Sequence, residues 1–296
     1  MQTKAQVEEL LASAGTNPKK ALGQNFLIDL NLITLLVEQA DIHSNDIVIE
    51  VGPGTGSLTE ETAKLAGRVI CVELDKTLAK VATKQLAGFA NVKMIVGDAL
   101  EKKSELNREL VEAITQARQE LNGRLLLVAN LPYNAAASIM LNLIIGPVIA
   151  DAMYVTVQKE VGHRMVAVPG SGDYGILGIF MSATGRAHAF RKLGPSVFWP
   201  RPGVDSAMVE FVYDPAKAGR ISDMSLFREV VGLFMSHRRK MLKACVKFAQ
   251  GHLEKIQNWE AIFAAAMIDG HLRPEQLEAE QYIAITNLVK EELTSL

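Results

Sequence analysis

The chain has 296 residues, of which 49% are hydrophobic and 22% charged, with a formal net charge of −2 and a pI near 6.3. This balance excludes an extended disordered chain and gives no overall attraction for nucleic acid, so any RNA contact must rest on local basic clusters. Its length suits one large soluble domain and a smaller one. Cys71 and Cys245 are far apart and show no metal-ligand spacing, which points to a reducing compartment and to core thiols. The first twenty residues, MQTKAQVEELLASAGTNPKK, lack the unbroken apolar run of a signal peptide or membrane span, so the expected location is cytoplasmic.

In chain order, strand-length apolar runs occur at DIVIEV (46–51), RVICVEL (68–74), NVKMIVGD (91–98), RLLLVAN (124–130) and AMYVTVQ (152–158). Segments with helical periodicity separate them, among them SLTEETAKLA (57–66) and KTLAKVATKQLAG (76–88). Strands alternating with helices predict a mostly parallel sheet covered on both faces. The stretch 101–123 reads as an amphipathic helix. A last pair, HAFRKL (188–193) and AMVEFVY (207–213), lacks a long helix between its members and predicts an antiparallel edge hairpin. From about residue 216 the pattern is helical only, clearest in SLFREVVGLFMSHRRKMLKACVKFAQ and EQYIAITNLVKEEL. The expected domains are therefore 1–215 and 216–296.

The first strand runs into Glu50-Val51-Gly52-Pro53-Gly54-Thr55-Gly56 and then a helix. Glycine removes the side chain that would keep a ligand off the backbone. The loop reads GxGxG rather than the dinucleotide fingerprint GxGxxG, and Glu50 would repel a pyrophosphate while favouring a cationic ligand such as S-adenosylmethionine. Glu73 ends the second strand, where a carboxylate accepts from ribose hydroxyls, and Asp98 ends the third, where it can accept from an adenine amine. Each acid could instead cap the following helix.

The segments LGQNFL (22–27), EVGPGTG (50–56), VELDK (72–76), GDAL (97–100), NLPYN (130–134), QKEVGHRM (158–165), FWPRPGVDSA (198–207) and LFMSHRRKML (233–242) resemble, in this order, the ribosomal RNA adenine N6-dimethyltransferases. The small-subunit dimethyladenosine transferase branch is the nearer match. The resemblance implies a Rossmann-like, class I methyltransferase fold: a mostly parallel seven-stranded sheet with an antiparallel edge hairpin, plus a small all-α C-terminal domain that binds RNA. It implies S-adenosyl-L-methionine as cofactor, held by Gln24, Asn25, Leu27, Gly52, Gly54, Glu73, Asp98 and Asn130. The implied reaction is N6-dimethylation of adjacent adenosines in small-subunit rRNA during ribosome biogenesis.

Adenine's amine is a poor nucleophile because its lone pair is delocalised into the ring. The Asn130 oxygen and the Leu131 or Pro132 carbonyl would accept from its hydrogens and aim the lone pair, while Tyr133 and Phe198 would hold the flipped base between them. Lys19, Lys20, Arg201, Arg238, Arg239 and Lys240 are the candidate RNA contacts, on a chain expected to act as a monomer on the small subunit or its assembly intermediate, without metal or membrane. Rival readings are a large-subunit rRNA adenine methyltransferase of the macrolide-resistance type, a non-catalytic RNA-binding or assembly factor on the same fold and, opposed by Glu50 and the loop spacing, a nicotinamide enzyme. Ala135, where a larger aliphatic residue is common in the family, and the length of 101–123 depart from the family pattern.

Overall fold

A computed structural model describes residues 1–295. The chain divides into two compact units, one comprising Met1–Gly162 with His188–Val212, the other His163–Ala187 with Tyr213–Leu296. A single cut at 215 therefore falls close to one crossing but misses the other. The segment around helix Ile176–Thr184 joins the C-terminal unit because it buries Ile179, Phe180 and Met181 there, with the Phe180 ring edge-on to Phe227 at 5.0 Å.

The first unit is organised by the sheet strands β1 (Ile47–Val51), β2 (Arg68–Glu73), β3 (Val92–Val96), β4 (Leu125–Asn130), β5 (Ala152–Gln158), β6 (Gly185–Leu193) and β7 (Ser206–Tyr213). Their spatial order is β3-β2-β1-β4-β5-β7-β6. The first five pair in parallel, and β7 runs antiparallel to β5, from Ser206 opposite Gln158 to Val212 opposite Ala152. Every residue of β1 and every residue of β4 up to Ala129 is buried, which is why those runs read as continuously apolar rather than alternating.

At the N-terminal edge of the sheet, Asp46 fixes the start of two strands. Its carboxylate pairs with Arg124 at 2.6 Å and accepts from the backbone N–H groups of Arg124 and His43, each at 2.9 Å. Burial opposes ionisation of Asp46, but those hydrogen bonds and the Arg124 charge hold its carboxyl below the usual range. The opposite, C-terminal edge carries the loops, as expected of a ligand site in an open α/β sheet.

Helices cover the faces, and three of them are started by a residue whose side chain satisfies exposed N–H groups. Asp29 caps Leu30–Ala40, Asp75 caps Lys76–Gln85 and Asn107 caps Arg108–Glu120. The last helix occupies only part of the stretch expected to be helical. Residues Leu100–Lys102 and Glu105–Leu106 form a small antiparallel hairpin, and the helix then buries Leu110, Ala113, Ile114 and Ala117.

In the C-terminal unit, helices Met224–Ser236, Trp259–Ala265 and Ala279–Ser295 pack around Phe234, whose ring lies within 5.9–6.3 Å of Trp259, Phe263 and Tyr282. The helix expected to run through 236–247 is broken. It stops at Ser236, 237–240 form a turn, and a short helix resumes at Leu242–Cys245. The reason is tertiary: Leu242 and Lys243 donate their N–H groups to Leu272 and Gly270, at 2.9 and 3.0 Å, instead of to the preceding turn of helix.

Candidate active site

One cleft at the C-terminal edge of the sheet is lined by segments 22–27, 50–55, 72–74, 97–99 and 130–135, together with Val7 of the N-terminal helix Lys4–Ser13. All eight expected cofactor residues, Gln24, Asn25, Leu27, Gly52, Gly54, Glu73, Asp98 and Asn130, line it. So do Leu131, Pro132 and Tyr133.

The glycine loop is shaped as its sequence requires. Gly52 and Gly54 have φ of +74° and +61°, values unfavourable to other residues, and a Cβ on Gly54 would come within 2.8 Å of the Phe26 ring. Gly54 N–H donates to Glu73 Oε2 at 3.2 Å, and Asp75 N–H donates to Glu73 Oε1 at 2.9 Å. Loop and carboxylate are thus built as one unit. Burial raises the Glu73 carboxyl above its ordinary range, and the two N–H donors oppose that shift. Each oxygen keeps lone-pair capacity for a further donor such as a ribose hydroxyl. Asp98 accepts from Leu100 N–H through Oδ1 at 2.9 Å, which leaves Oδ2 open at the mouth of the cleft.

Glu50 is 2% exposed and its Oε2 has no hydrogen-bond partner. Burial, reinforced by the Glu73 charge and opposed by a hydrogen bond with Thr59, pushes its pKa up to about 8. A buried carboxyl with one oxygen unpartnered is costly, and a cation in the cleft would relieve that cost. S-adenosylmethionine fits these residues: a positively charged ligand suits Glu50, a ribose suits Glu73, and the glycines of the loop admit a close approach.

The turn that begins at Asn130 follows β4. Asn130 Nδ2 donates to the Asn25 carbonyl at 2.8 Å, while Asn130 Oδ1 is buried without a partner. The Leu131 N–H donates to Thr156 O, and the Pro132 carbonyl accepts from Ala135 and Ala136 N–H at 3.1 Å. Tyr133 is partly buried, with its Oη 2.9 Å from Ser206 Oγ.

Phe198 is not brought to the cleft. It is 1% exposed and packs among Leu27, Ile33, Leu193 and Met208, because its strand pairs with Phe26–Leu27 and turns the ring into the core. The expected two-sided sandwich is therefore not formed by that ring. Its neighbour Trp199 stacks instead on Phe26, centroids 6.2 Å apart.

The basic candidates separate as well. Lys19 is exposed but its Nζ lies 2.7 Å from buried Asp75, which also accepts from Gln24 Nε2 at 3.1 Å. Burial works against ionisation of Asp75, yet those two contacts hold its carboxyl below the usual range. Gln24 thereby spends its amide on holding its own segment, with Oε1 accepting from Lys19 N–H at 2.8 Å. Arg238 is engaged within its unit, donating to Glu275 at 2.6 Å and to Ser171 O at 3.2 Å. Lys20, Arg201, Arg239 and Lys240 are exposed.

Three contributors escaped the reading of the sequence: Asp75, Phe26 behind the glycine loop, and the N-terminal helix with Val7. The helix did carry a signal. Thr3 and Gln6 form a capping box, and Val7 and Leu11 share one buried face, packing on Leu78 with Phe26 and Trp199. Among the described residues, no group of three or more His, Cys, Asp and Glu is placed to hold a metal, and no helix is long and apolar enough to cross a membrane.

Residues 15–290 match the family described as ribosomal RNA adenine dimethylase. The chain is 35% identical over 283 residues to the ribosomal RNA small subunit methyltransferase A of Pelotomaculum thermopropionicum, covering 96% of this chain and 95% of that protein. It is 32% identical over 289 residues to the protein of the same name from a Geobacillus species, covering 97% of each. Among solved structures, a dimethyladenosine transferase from Plasmodium falciparum superposes with a TM-score of 0.70 at 19% identity, over 89% of this chain and 97% of that one. The 23S rRNA methyltransferase ErmE gives 0.60 at 22% identity, over 90% and 99%. At those identities the two structures support the fold, a mostly parallel seven-stranded methyltransferase sheet with a helical C-terminal region.

Proposed function

The chain belongs to the ribosomal RNA adenine dimethylase family and is an S-adenosylmethionine-dependent RNA methyltransferase, and from this we propose that it dimethylates N6 of adjacent adenosines in the RNA of the small ribosomal subunit, on the subunit or an assembly intermediate. The observation that carries the reading is Asn130 Oδ1: a buried acceptor, unpartnered, in a cleft whose other polar groups suit the cofactor. The names of the similar curated proteins support the small subunit over the large.

When bound, S-adenosylmethionine supplies a methyl group activated by a cationic sulfur. Gly52 and Gly54 would give it backbone access, Glu73 and Asp98 would accept from its ribose and adenine, Glu50 would offset its positive charge, and Gln24, Asn25 and Leu27 would close one side. The chain's remaining task is to prepare the amine. Asn130 Oδ1 accepts one amino hydrogen and the Leu131 carbonyl the other, the Pro132 carbonyl being taken by the N–H groups of Ala135 and Ala136, which favours a pyramidal nitrogen with its lone pair free. A base drawn out of its helix stacks on Tyr133, worth roughly 1–3 kcal/mol. Catalysis is then alignment and electrostatics without a covalent enzyme intermediate, and alignment alone can contribute about 7–11 kcal/mol in favourable cases. The proton released on nitrogen methylation leaves to solvent.

Lys20, Arg201, Arg239 and Lys240 are proposed as phosphate contacts. Lys19 and Arg238, tied to Asp75 and Glu275, are proposed to shape the surface that meets RNA rather than to pair with it freely. A non-catalytic assembly role is disfavoured because Asn130, Tyr133, Glu73 and Asp98 all stand in one cleft. Incubating the protein and labelled cofactor with unmethylated small subunits, large subunits or naked rRNA tests the proposal. Label entering only small-subunit RNA agrees with it, and label entering only large-subunit RNA overturns it.

A further inference from the structure

Where helix Met224–Ser236 ends, the C-terminal unit holds a second concavity of about 420 Å³, lined by Leu233, Ser236, His237, Phe248 and Gln250 among others. His237 closes the helix: its N–H donates to Phe234 O at 3.0 Å and its Nδ1 lies 3.0 Å from Leu233 O. The ring so fixed lies flat on Phe248, centroids 4.0 Å apart and planes 11° from parallel. Phe248 is nevertheless 44% exposed, and Lys240 Nζ stands 5.6 Å from its centroid. A core aromatic would be covered. This one is held in place and presented.

Its surroundings are cationic. Arg239, Lys240 and Lys247 are exposed, and none pairs with a carboxylate among the described residues, whereas Glu229, a carboxylate that lines the concavity itself, is engaged by His252 at 2.9 Å. The Gln250 and Ser236 side chains at the rim make no hydrogen bond to a described residue. Cations alone would suit any phosphate. A fixed flat ring beside free cations and free amide and hydroxyl groups suits a planar ligand on an anionic backbone.

We propose that this concavity is a second nucleotide site, in which an unpaired base of the RNA stacks on the Phe248–His237 pair while Arg239, Lys240 and Lys247 meet neighbouring phosphates. It rests on the reading that this chain acts on RNA, and gives the C-terminal unit a preference for an unstacked nucleotide over a regular duplex. Stacking adds no ion contact, so it contributes affinity without steepening salt dependence.

The test uses the full chain. Phe248→Leu should weaken binding to unmethylated small subunits by roughly 5- to 150-fold, the span of a lost base–aromatic stack, with an unchanged salt slope and unchanged thermal midpoint. Phe248→Trp should retain binding, and its added emission, above that of the wild-type tryptophans, should be quenched by single-stranded oligoadenylate but not by a perfect duplex. Wild-type binding with an equal affinity for Phe248→Leu would overturn the site while leaving the RNA reading intact. A wild-type protein that binds no subunit would strike that reading instead. Absence of quenching by the single strand overturns the site in either case.

Discussion

Asn130 donates through Nδ2 to the backbone carbonyl of Asn25, 2.8 Å away across 105 residues of sequence. This bond fixes the amide's orientation. With the nitrogen end committed, the oxygen end is the one left buried and without a partner. Asn130→Ala should lower kcat by about 10²–10³, the scale for removing one preorganised hydrogen-bonding group from a transition state, and should leave cofactor affinity within a few-fold. Single-turnover kinetics beside a cofactor titration separate the two effects.

Tyr133 is held in a comparable way from two strands away, its hydroxyl 2.9 Å from Ser206 Oγ at the start of β7. Two functions of one side chain can therefore be separated. Tyr133→Phe keeps the ring and loses only the bond that orients it, a loss of up to roughly tenfold in kcat/KM for RNA. Tyr133→Ala removes the stacking face too, and the loss should exceed that of Tyr133→Phe. Ser206→Ala should match Tyr133→Phe, which initial rates on small-subunit particles would show.

The parallel strands were legible because burial on both faces leaves an unbroken apolar run such as Ile47–Val51, and the strand-end acids Glu73 and Asp98 were legible because they follow those runs directly. What escaped depends on partners remote in sequence. Phe198 looks like an available aromatic until its pairing with Leu27 turns it inward. Arg238 reads as one of a basic cluster, yet Glu275 and Ser171 engage it. The helical pattern through 236–247 yields to the carbonyls of Gly270 and Leu272. Local periodicity carries no information about such contacts.

Glu50 gives the cofactor site a pH dependence with a definite sign. Its carboxyl has an ordinary value of 4.5 and stands at about 8 in the folded protein, chiefly through burial. Between those values the folded chain holds a proton that the unfolded chain has lost, so Glu50 makes stability fall as pH rises, and Glu73, also raised, acts in the same direction. A cationic ligand favours the ionised form, so cofactor affinity should climb by up to about tenfold per pH unit below about 8 and then level off. Isothermal titration across that range measures it. Glu50→Gln should flatten the profile and raise the thermal midpoint of the ligand-free protein at about pH 8.5.

Neighbouring arginines should respond differently. Arg238→Ala breaks a partly buried pair and should lower the thermal midpoint. Arg239→Ala combined with Lys240→Ala should leave the midpoint in place, weaken binding to small subunits, and reduce the magnitude of the salt slope by roughly 0.7–0.9 per lost phosphate contact. Thermal scans and binding at several salt concentrations distinguish the two sites.

The most direct measurement of the central claim is mass spectrometry of nucleosides released from unmethylated small-subunit RNA after incubation with cofactor and either wild-type protein or Asn130→Ala. Wild type should yield N6,N6-dimethyladenosine, and Asn130→Ala, with cofactor bound, should yield almost none over the same interval. Methylation at another atom, or wild-type accumulation by Asn130→Ala, would contradict it.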